Sequence, residues 1–96
     1  MPTAFVCNCD QIAYLLIEQL KAQGYLVPDD CSVVGFDNDI FATLTTPKLT
    51  TMEVDFTQMS KIAVKYIMDK ISSPEHKLGR VLVQGNIIFR DSVTVR

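Results

Sequence analysis

The chain has 96 residues, 48% of them hydrophobic, and this length and composition predict one small globular domain. Its formal net charge is -2 and its basic residues are scattered, so we expect no surface of its own for binding DNA. No apolar run reaches the roughly 18 residues of a membrane span, and the N-terminus lacks the pattern of an export signal. We therefore expect a cytoplasmic protein without membrane contact.

The cysteines and the single histidine predict no metal site. Cys7 and Cys9 have the wrong spacing for the common zinc pairs, while Cys31 and His76 are distant in sequence. We expect reduced thiols, packed as small apolar groups, and neither a metal nor another cofactor.

The first part of the chain predicts a strand, a helix and a second strand. Residues 3–7 (TAFVC) are typical of a buried strand, and residues 32–36 (SVVGF) of another. Between them, Asp10 is a good N-cap for a helix over residues 11–23, which Gly24 ends. The apolar stripe of this helix consists of Ile12, Ala13, Leu16, Ile17 and Leu20.

Together these elements predict a βαβ unit, whose crossover is right-handed in nearly all known cases. We therefore expect its two strands to lie parallel. Ligands of open α/β sheets bind outside the carboxyl ends of the parallel strands. Residues 8–10 (NCD) and 37–39 (DND) follow the two predicted strands. We therefore expect these two polar segments at one edge of the sheet, open to solvent or to a cleft.

The second part predicts a helical turn over residues 40–44 and a long helix. Asp55 caps this helix, Gln58 completes a capping-box pattern, and residues 72–74 (SSP) end the helix. Its wide apolar stripe consists of Phe56, Met59, Ile62, Ala63, Tyr66, Ile67 and Ile71. Residues 81–83 and 87–89 are strand-like, and a hairpin turning at Gly85 and a single bent strand remain alternatives.

Several segments share their order and spacing with a known family. They are PTAFVCNCDQIAYLLIEQLKAQGYLVPDD, SVVGFDND, TPKLTTMEVD, the helix through Met59 and Ala63, and NIIFRDS. In this order the chain resembles the C-terminal part of the effector-binding core of the lactose-repressor (LacI/GalR) family of bacterial transcription regulators. The resemblance implies an α/β, periplasmic-binding-protein-like (type I) fold, with a parallel βαβ unit, a further helix and C-terminal strands.

The resemblance also implies a division of the chain. Residues 1–48 and 79–96 would belong to the C-terminal subdomain, and residues 49–78 would form a crossover and a helix of the other subdomain. The helix-turn-helix headpiece is absent, so we expect contact with DNA only through that missing domain. Without the rest of the other subdomain, the apolar stripe of the long helix would be exposed and would favour self-association.

The resemblance implies a ligand site at the polar edge. Asp37 occupies the acidic position of the family that accepts hydrogen bonds from ligand hydroxyls, and a carboxylate suits a sugar. Further candidates are Asn8, Asp10 and Asn38, although the family usually has an Asn-Asp pair where this chain has Cys9-Asp10. Helix capping is the alternative role of Asp10, and bonding to nearby backbone amides is the alternative for Asp37.

The family forms two-fold dimers through the region of the first helix. Tyr14 and Leu15 project away from the predicted apolar stripe, beside Glu18. The resemblance adds the turn at Leu44 and Thr45, so we expect all five residues at a homodimer interface. Scattered surface apolar residues are the alternative.

These expectations predict a sensor of a small molecule, a carbohydrate by the resemblance, that controls DNA binding elsewhere in a regulator. A periplasmic sugar-binding protein of a transport system would share the fold. A receiver-like phosphoacceptor domain could use Asp37 but would need a second acidic residue after the first strand and a late lysine. Neither a nucleophile elbow nor a phosphate-binding glycine loop occurs, so we expect no enzyme.

Overall fold

The computed structural model describes residues 2–75, 77 and 79–95, and His76 lies outside them. The strands are β1 (Ala4–Val6), β2 (Ser32–Asp37), β3 (Thr50–Glu53) and β4 (Asn86–Ile88), and the helices are α1 (Asp10–Ala22), α2 (Phe41–Leu44) and α3 (Phe56–Ser72). The chain forms two compact units, one running up to Glu53 and resuming at Asn86, the other comprising Val54–Gly85. None of the helices in the described residues combines the length and apolarity needed to cross a bilayer.

The first unit is built on one sheet, with the strands in the order β1-β2-β3-β4. The first three strands are parallel, and β4 runs antiparallel to β3. This arrangement confirms the α/β class and the parallel βαβ unit. The predicted strand over residues 81–83 is wrong, because these residues pair with no strand in the described part of the chain.

The core of this unit lies between the sheet and the helices α1 and α2. Its buried apolar residues are Ala13, Ile17, Leu20, Cys31, Val33, Ala42 and Leu49. Asp10, Ala13, Ile17 and Leu20 are the buried residues of α1, a spacing that turns one helical face toward the sheet. Ile12 was expected on this face but is 48% exposed, because it lies about 100° around the helix from Ala13.

The opposite face of the sheet is apolar and open. Register places Val6 beside Val34, and Phe36 beside Met52, on this face. Val6 is 85% exposed, so the prediction that residues 3–7 form a buried strand is wrong for this face. The physical reason is that α1 and α2 contribute their buried residues to a single core, which covers one face of the sheet only.

The second unit contains α3, and the helix begins as its capping signals predict. The Asp55 carboxylate accepts a hydrogen bond of 2.9 Å from the backbone N–H of Gln58, and the helix ends at Ser72. No residue of α3 is buried, and its apolar stripe is largely exposed. Residues 49–53, assigned to the crossover from the sequence, belong to the unit of the sheet. The assignment of the following helix to another subdomain stays a prediction.

We expect Gly35→Ala to destabilise the sheet unit. A Cβ at Gly35 would meet the Asp10 carboxylate and would lie 2.7 Å from Cδ2 of the buried Leu49. Overpacking of this kind costs about 1–3 kcal/mol of the free energy of unfolding, which urea denaturation measures. Gly79→Ala is the matched control, because a Cβ there meets no atom within 4 Å. Equal stability of the two variants would contradict the close approach at Gly35.

Candidate functional site

The two polar segments lie together at the carboxyl edge of the parallel strands, as predicted. The backbone N–H of Cys7, directly after β1, donates a 2.8 Å hydrogen bond to the carbonyl oxygen of Val34. Beyond it, the backbone N–H of Asp39 donates to Oδ2 of Asp10 at 2.8 Å. Residues 8–10 and 37–39 therefore form one continuous polar rim.

Asp10 is the buried centre of this rim. It is fully buried, and Oδ1 accepts a 2.6 Å hydrogen bond from the Thr51 hydroxyl of β3 while Oδ2 accepts from Asp39. The capping role is wrong: Cys9 is the N-cap, and α1 begins at Asp10 itself. Two donors satisfy a carboxylate whose burial would otherwise be costly. We predicted that Asp10 contacts a ligand, but its fully buried side chain exposes no atoms for such a contact.

Asp37 ends β2 in an unusual backbone conformation. Its φ is 105° and that of Asn38 is 60°, values that side-chain-bearing residues rarely adopt and that cost of order 1–3 kcal/mol each. Asparagine tolerates the left-handed region better than most residues. The Asp37 side chain is half-buried and, among residues 2–75, 77 and 79–95, makes no hydrogen bond or ion pair. The rim thus presents a carboxylate that has no partner in the described part of the chain.

Asn38 is held from the other side by Arg90, which follows β4. The Nη2 group of Arg90 donates to Oδ1 of Asn38 at 2.8 Å, and Nη1 donates to the carbonyl oxygen of Leu49 at 2.9 Å. The amide oxygen of Asn38 is therefore occupied, whereas its side-chain N–H groups make no hydrogen bond within the described residues. Asn8, at the tip of β1, is exposed. Asp39 accepts from the N–H of Phe41 at 2.8 Å at the start of α2.

The sequence analysis missed two buried hydroxyl residues, Ser92 and Thr51, that make hydrogen bonds next to the polar rim and within the sheet. Ser92 is fully buried; its hydroxyl donates to the carbonyl oxygen of Val33 at 2.6 Å and accepts from the N–H of Thr50 at 2.8 Å. The Thr51 hydroxyl likewise donates a hydrogen bond to the Asp10 carboxylate. The available signal was the placement of small hydroxyl residues inside the segment LTTM and shortly after the apolar run IIF. Hydroxyls there require buried partners, but the sequence does not say which.

Two of the three cysteines belong to the core region. Cys31 lies in the core, Cys7 packs against the core cluster, Cys9 is half-buried, and none of the three forms a disulfide within the described residues. Burial raises the pKa of the Cys7 thiol, and the neighbouring Cys9 raises it further. In the part of the chain that the structure describes, no three or more His, Cys, Asp or Glu side chains are arranged to hold a metal ion.

Two residues predicted at a dimer interface are engaged within the chain instead. The Tyr14 ring packs on Phe41 of α2, with 5.6 Å between ring centroids, and is half-buried. Thr45 is buried, and its hydroxyl donates to the carbonyl oxygen of Ala42 at 3.4 Å. The expectation that these side chains face a partner is wrong for Thr45, and Tyr14 serves first to seat α2 on α1.

The other three predicted interface residues are open. Leu15 is 50% and Leu44 54% exposed, and Glu18 lies 3.7 Å from Lys21 in a surface ion pair. Such pairs contribute little to stability, so Glu18 is free to rearrange. Whether these residues meet a partner stays a prediction.

An α/β sheet with a polar rim at the carboxyl ends of its parallel strands is the architecture of a ligand-binding domain. The model of the periplasmic binding protein-like domain family matches residues 1–93. The chain belongs to this family, and it corresponds to the C-terminal part of the effector-binding core of the lactose-repressor type.

Three relatives illustrate the match. The arabinose metabolism transcriptional repressor of Geobacillus stearothermophilus is 42% identical over 92 residues, which cover 95% of this chain and 25% of that protein. A LacI family regulator from Enterococcus faecium, solved with bound ribose, has a TM-score of 0.79 and 26% identity, with 95% of this chain and 34% of that one covered. The lac repressor dimer bound to operator has a TM-score of 0.86 and 26% identity, with 98% and 32% covered. The chain thus spans a quarter to a third of these relatives.

We expect Ser92→Ala to destabilise the sheet unit strongly. The change leaves the carbonyl of Val33 and the N–H of Thr50 without their side-chain partner, at about 1–3 kcal/mol for each buried group. Urea denaturation measures the loss. Ser60→Ala on the exposed surface of α3 is the control and should stay within about 0.5 kcal/mol of wild type. A Ser92→Ala protein as stable as the control would show that Ser92 does not connect the strands.

Proposed function

We propose that this chain is the C-terminal part of the small-molecule-sensing core of a bacterial transcriptional regulator, and that the rim binds a sugar. The observation that carries the proposal is the Asp37 carboxylate, which lies at the carboxyl edge of the parallel strands and has no partner among the described residues. A carboxylate accepts several strong hydrogen bonds, as a polyhydroxylated ligand can donate. Asn8 and the amide N–H groups of Asn38 complete the proposed contacts.

The relatives support a sugar as the class of ligand. One is a repressor of arabinose metabolism, and another was solved with bound ribose. Both are regulators, which favours a regulator over a transport protein with the same fold. Regulation requires only that the ligand bind two conformations with different affinity, and no covalent chemistry. We propose a cytoplasmic, non-enzymatic sensor that reaches DNA through a helix-turn-helix domain.

We expect the intact regulator to bind L-arabinose or D-ribose, and Asp37→Ala to weaken that binding. Loss of hydrogen bonds to a charged group costs about 1–3 kcal/mol of binding free energy, measurable by isothermal titration calorimetry. Asp29→Ala is the matched control, because Asp29 is exposed in the loop before β2, at the opposite edge of the sheet.

The two variants separate the possible results. Asp29→Ala should bind as wild type does. Equal affinity of wild type and Asp37→Ala would remove Asp37 from the site, and a regulator that binds neither sugar would refute this ligand assignment.

The proposal includes a homodimer formed through the exposed face of α1. Its support is the lac repressor neighbour, which is a dimer, together with the exposure of Leu15, Glu18 and Leu44. Tyr14 would contribute mainly by holding α2, and thereby Leu44, in place.

We expect Leu15→Asp to dissociate the dimer, because a carboxylate would be buried at an apolar contact. Light scattering at micromolar concentration gives the mass. Leu26→Asp is the control, since Leu26 is 59% exposed in the loop after α1. A charge on the exposed apolar stripe of α3, Met59→Asp, tests the rival surface. If Met59→Asp dissociates the dimer and Leu15→Asp does not, the proposed α1 interface is wrong.

A further inference from the structure

We propose that Asp10 and Arg90 are positioning residues that hold the segment Asp37–Asn38 in its left-handed backbone conformation, and so aim the Asp37 carboxylate at the ligand. The role of this segment in presenting Asp37 to a ligand rests on the proposed function. The contacts that fix its backbone conformation do not depend on that function.

The first contact that fixes the segment is made by the buried carboxylate of Asp10. It binds the backbone N–H of Asp39 at 2.8 Å, directly after the two residues with positive φ. The same carboxylate is fixed by the Thr51 hydroxyl at 2.6 Å, and Asp10 is fully buried. Because Thr51 lies on β3 and Asp10 begins α1, the chain after Asp37 is tied to two elements that cannot move independently of the core.

The second contact that fixes the segment is made by the guanidinium of Arg90. Its Nη2 group binds Oδ1 of Asn38 at 2.8 Å, while Nη1 binds the carbonyl oxygen of Leu49, a residue of the core, at 2.9 Å. A guanidinium offers a rigid fork of donors, so the second bond restricts the direction of the first.

The φ of 105° at Asp37 is not an intrinsic preference of an aspartate, whereas asparagine tolerates the 60° of Asn38 better than most residues. Non-glycine residues adopt such values rarely, and they persist where surrounding contacts enforce them. The Asp37 side chain has no partner in the described residues, and its backbone ends the β2–β3 ladder opposite Glu53. The contacts of Asn38 and Asp39 therefore fix the chain on the side of Asp37 that the ladder does not hold. Releasing Asp39 or Asn38 should let Asp37 relax to an ordinary extended φ and turn its carboxylate away.

The test compares Asp10→Ala with Thr51→Val in the isotopically labelled chain by NMR. Both variants remove the bond between residues 10 and 51, but only Asp10→Ala also frees the amide of Asp39. A positive φ brings a residue's amide hydrogen close to its own Hα, which gives a strong intraresidue nuclear Overhauser effect.

We expect that effect at Asp37 and Asn38 in wild type and in Thr51→Val, and its loss in Asp10→Ala. Hydrogen exchange provides the second readout, because global destabilisation alone would accelerate all amides together. The Asp39 amide should exchange at least about tenfold faster in Asp10→Ala than in Thr51→Val, relative in each protein to the amide of Val33. The Val33 amide donates to the carbonyl oxygen of Ser92 and makes no contact with the rim. Equal behaviour of the two variants would overturn the role of Asp10.

If Asp10→Ala does not fold, Arg90→Met decides, since it keeps the apolar stem and removes the donors. A weakened Overhauser effect at Asn38 supports the proposal, and an unchanged one overturns it. In the intact regulator, the affinity for whichever of L-arabinose and D-ribose the wild type binds should fall about tenfold in Asp10→Ala relative to Thr51→Val, or about 1.4 kcal/mol. Failure of the wild type to bind either sugar would count against the proposed ligand, whereas the NMR comparison would still test the positioning role.

Discussion

The buried carboxylate of Asp10 connects three segments that are far apart in the chain. It begins α1, accepts the hydroxyl of Thr51 on β3, and accepts the backbone N–H of Asp39 after β2. Placing a carboxylate in a core is unfavourable unless donors compensate it, and here both of its oxygens have one. Asp10 therefore fixes residues 37–39 relative to α1 and β3, together with the bond from Arg90 to Asn38.

Other features of the sheet follow from the same group. Gly35 leaves room on β2 for the Asp10 carboxylate, since a Cβ there would collide with it. Arg90 and Ser92 bring the C-terminal segment against β2 and β3 through hydrogen bonds to Asn38, Leu49 and Val33. The polar groups of Asn38, Leu49 and Val33 that these bonds reach therefore have hydrogen-bond partners. Polar groups with satisfied partners are rigid, so this network restricts the motion of the chain beside the Asp37 carboxylate, which has no partner among the described residues.

The chain also carries apolar surfaces that its own fold does not cover. One is the open face of the sheet around Val6 and Phe36, and another is the stripe of α3 within the second unit. Patches of this kind on soluble proteins usually meet a partner surface. The chain spans only a quarter to a third of the length of its relatives. In those relatives, corresponding surfaces have further protein available to cover them.

Sequence alone determined the local elements and their order, because those depend on short-range patterns. Asp55 and Gln58 mark the start of α3, alternating and continuous apolar runs mark β1 and β2, and the βαβ rule brings residues 8–10 and 37–39 to one edge. Only the tertiary structure decided what each polar side chain does there. Asp10 satisfied every local criterion for a helix cap, yet its carboxylate bonds to residues 29 and 41 positions away. The partner of a buried polar group is set by strand register and helix rotation, and no local pattern in the sequence encodes those long-range distances.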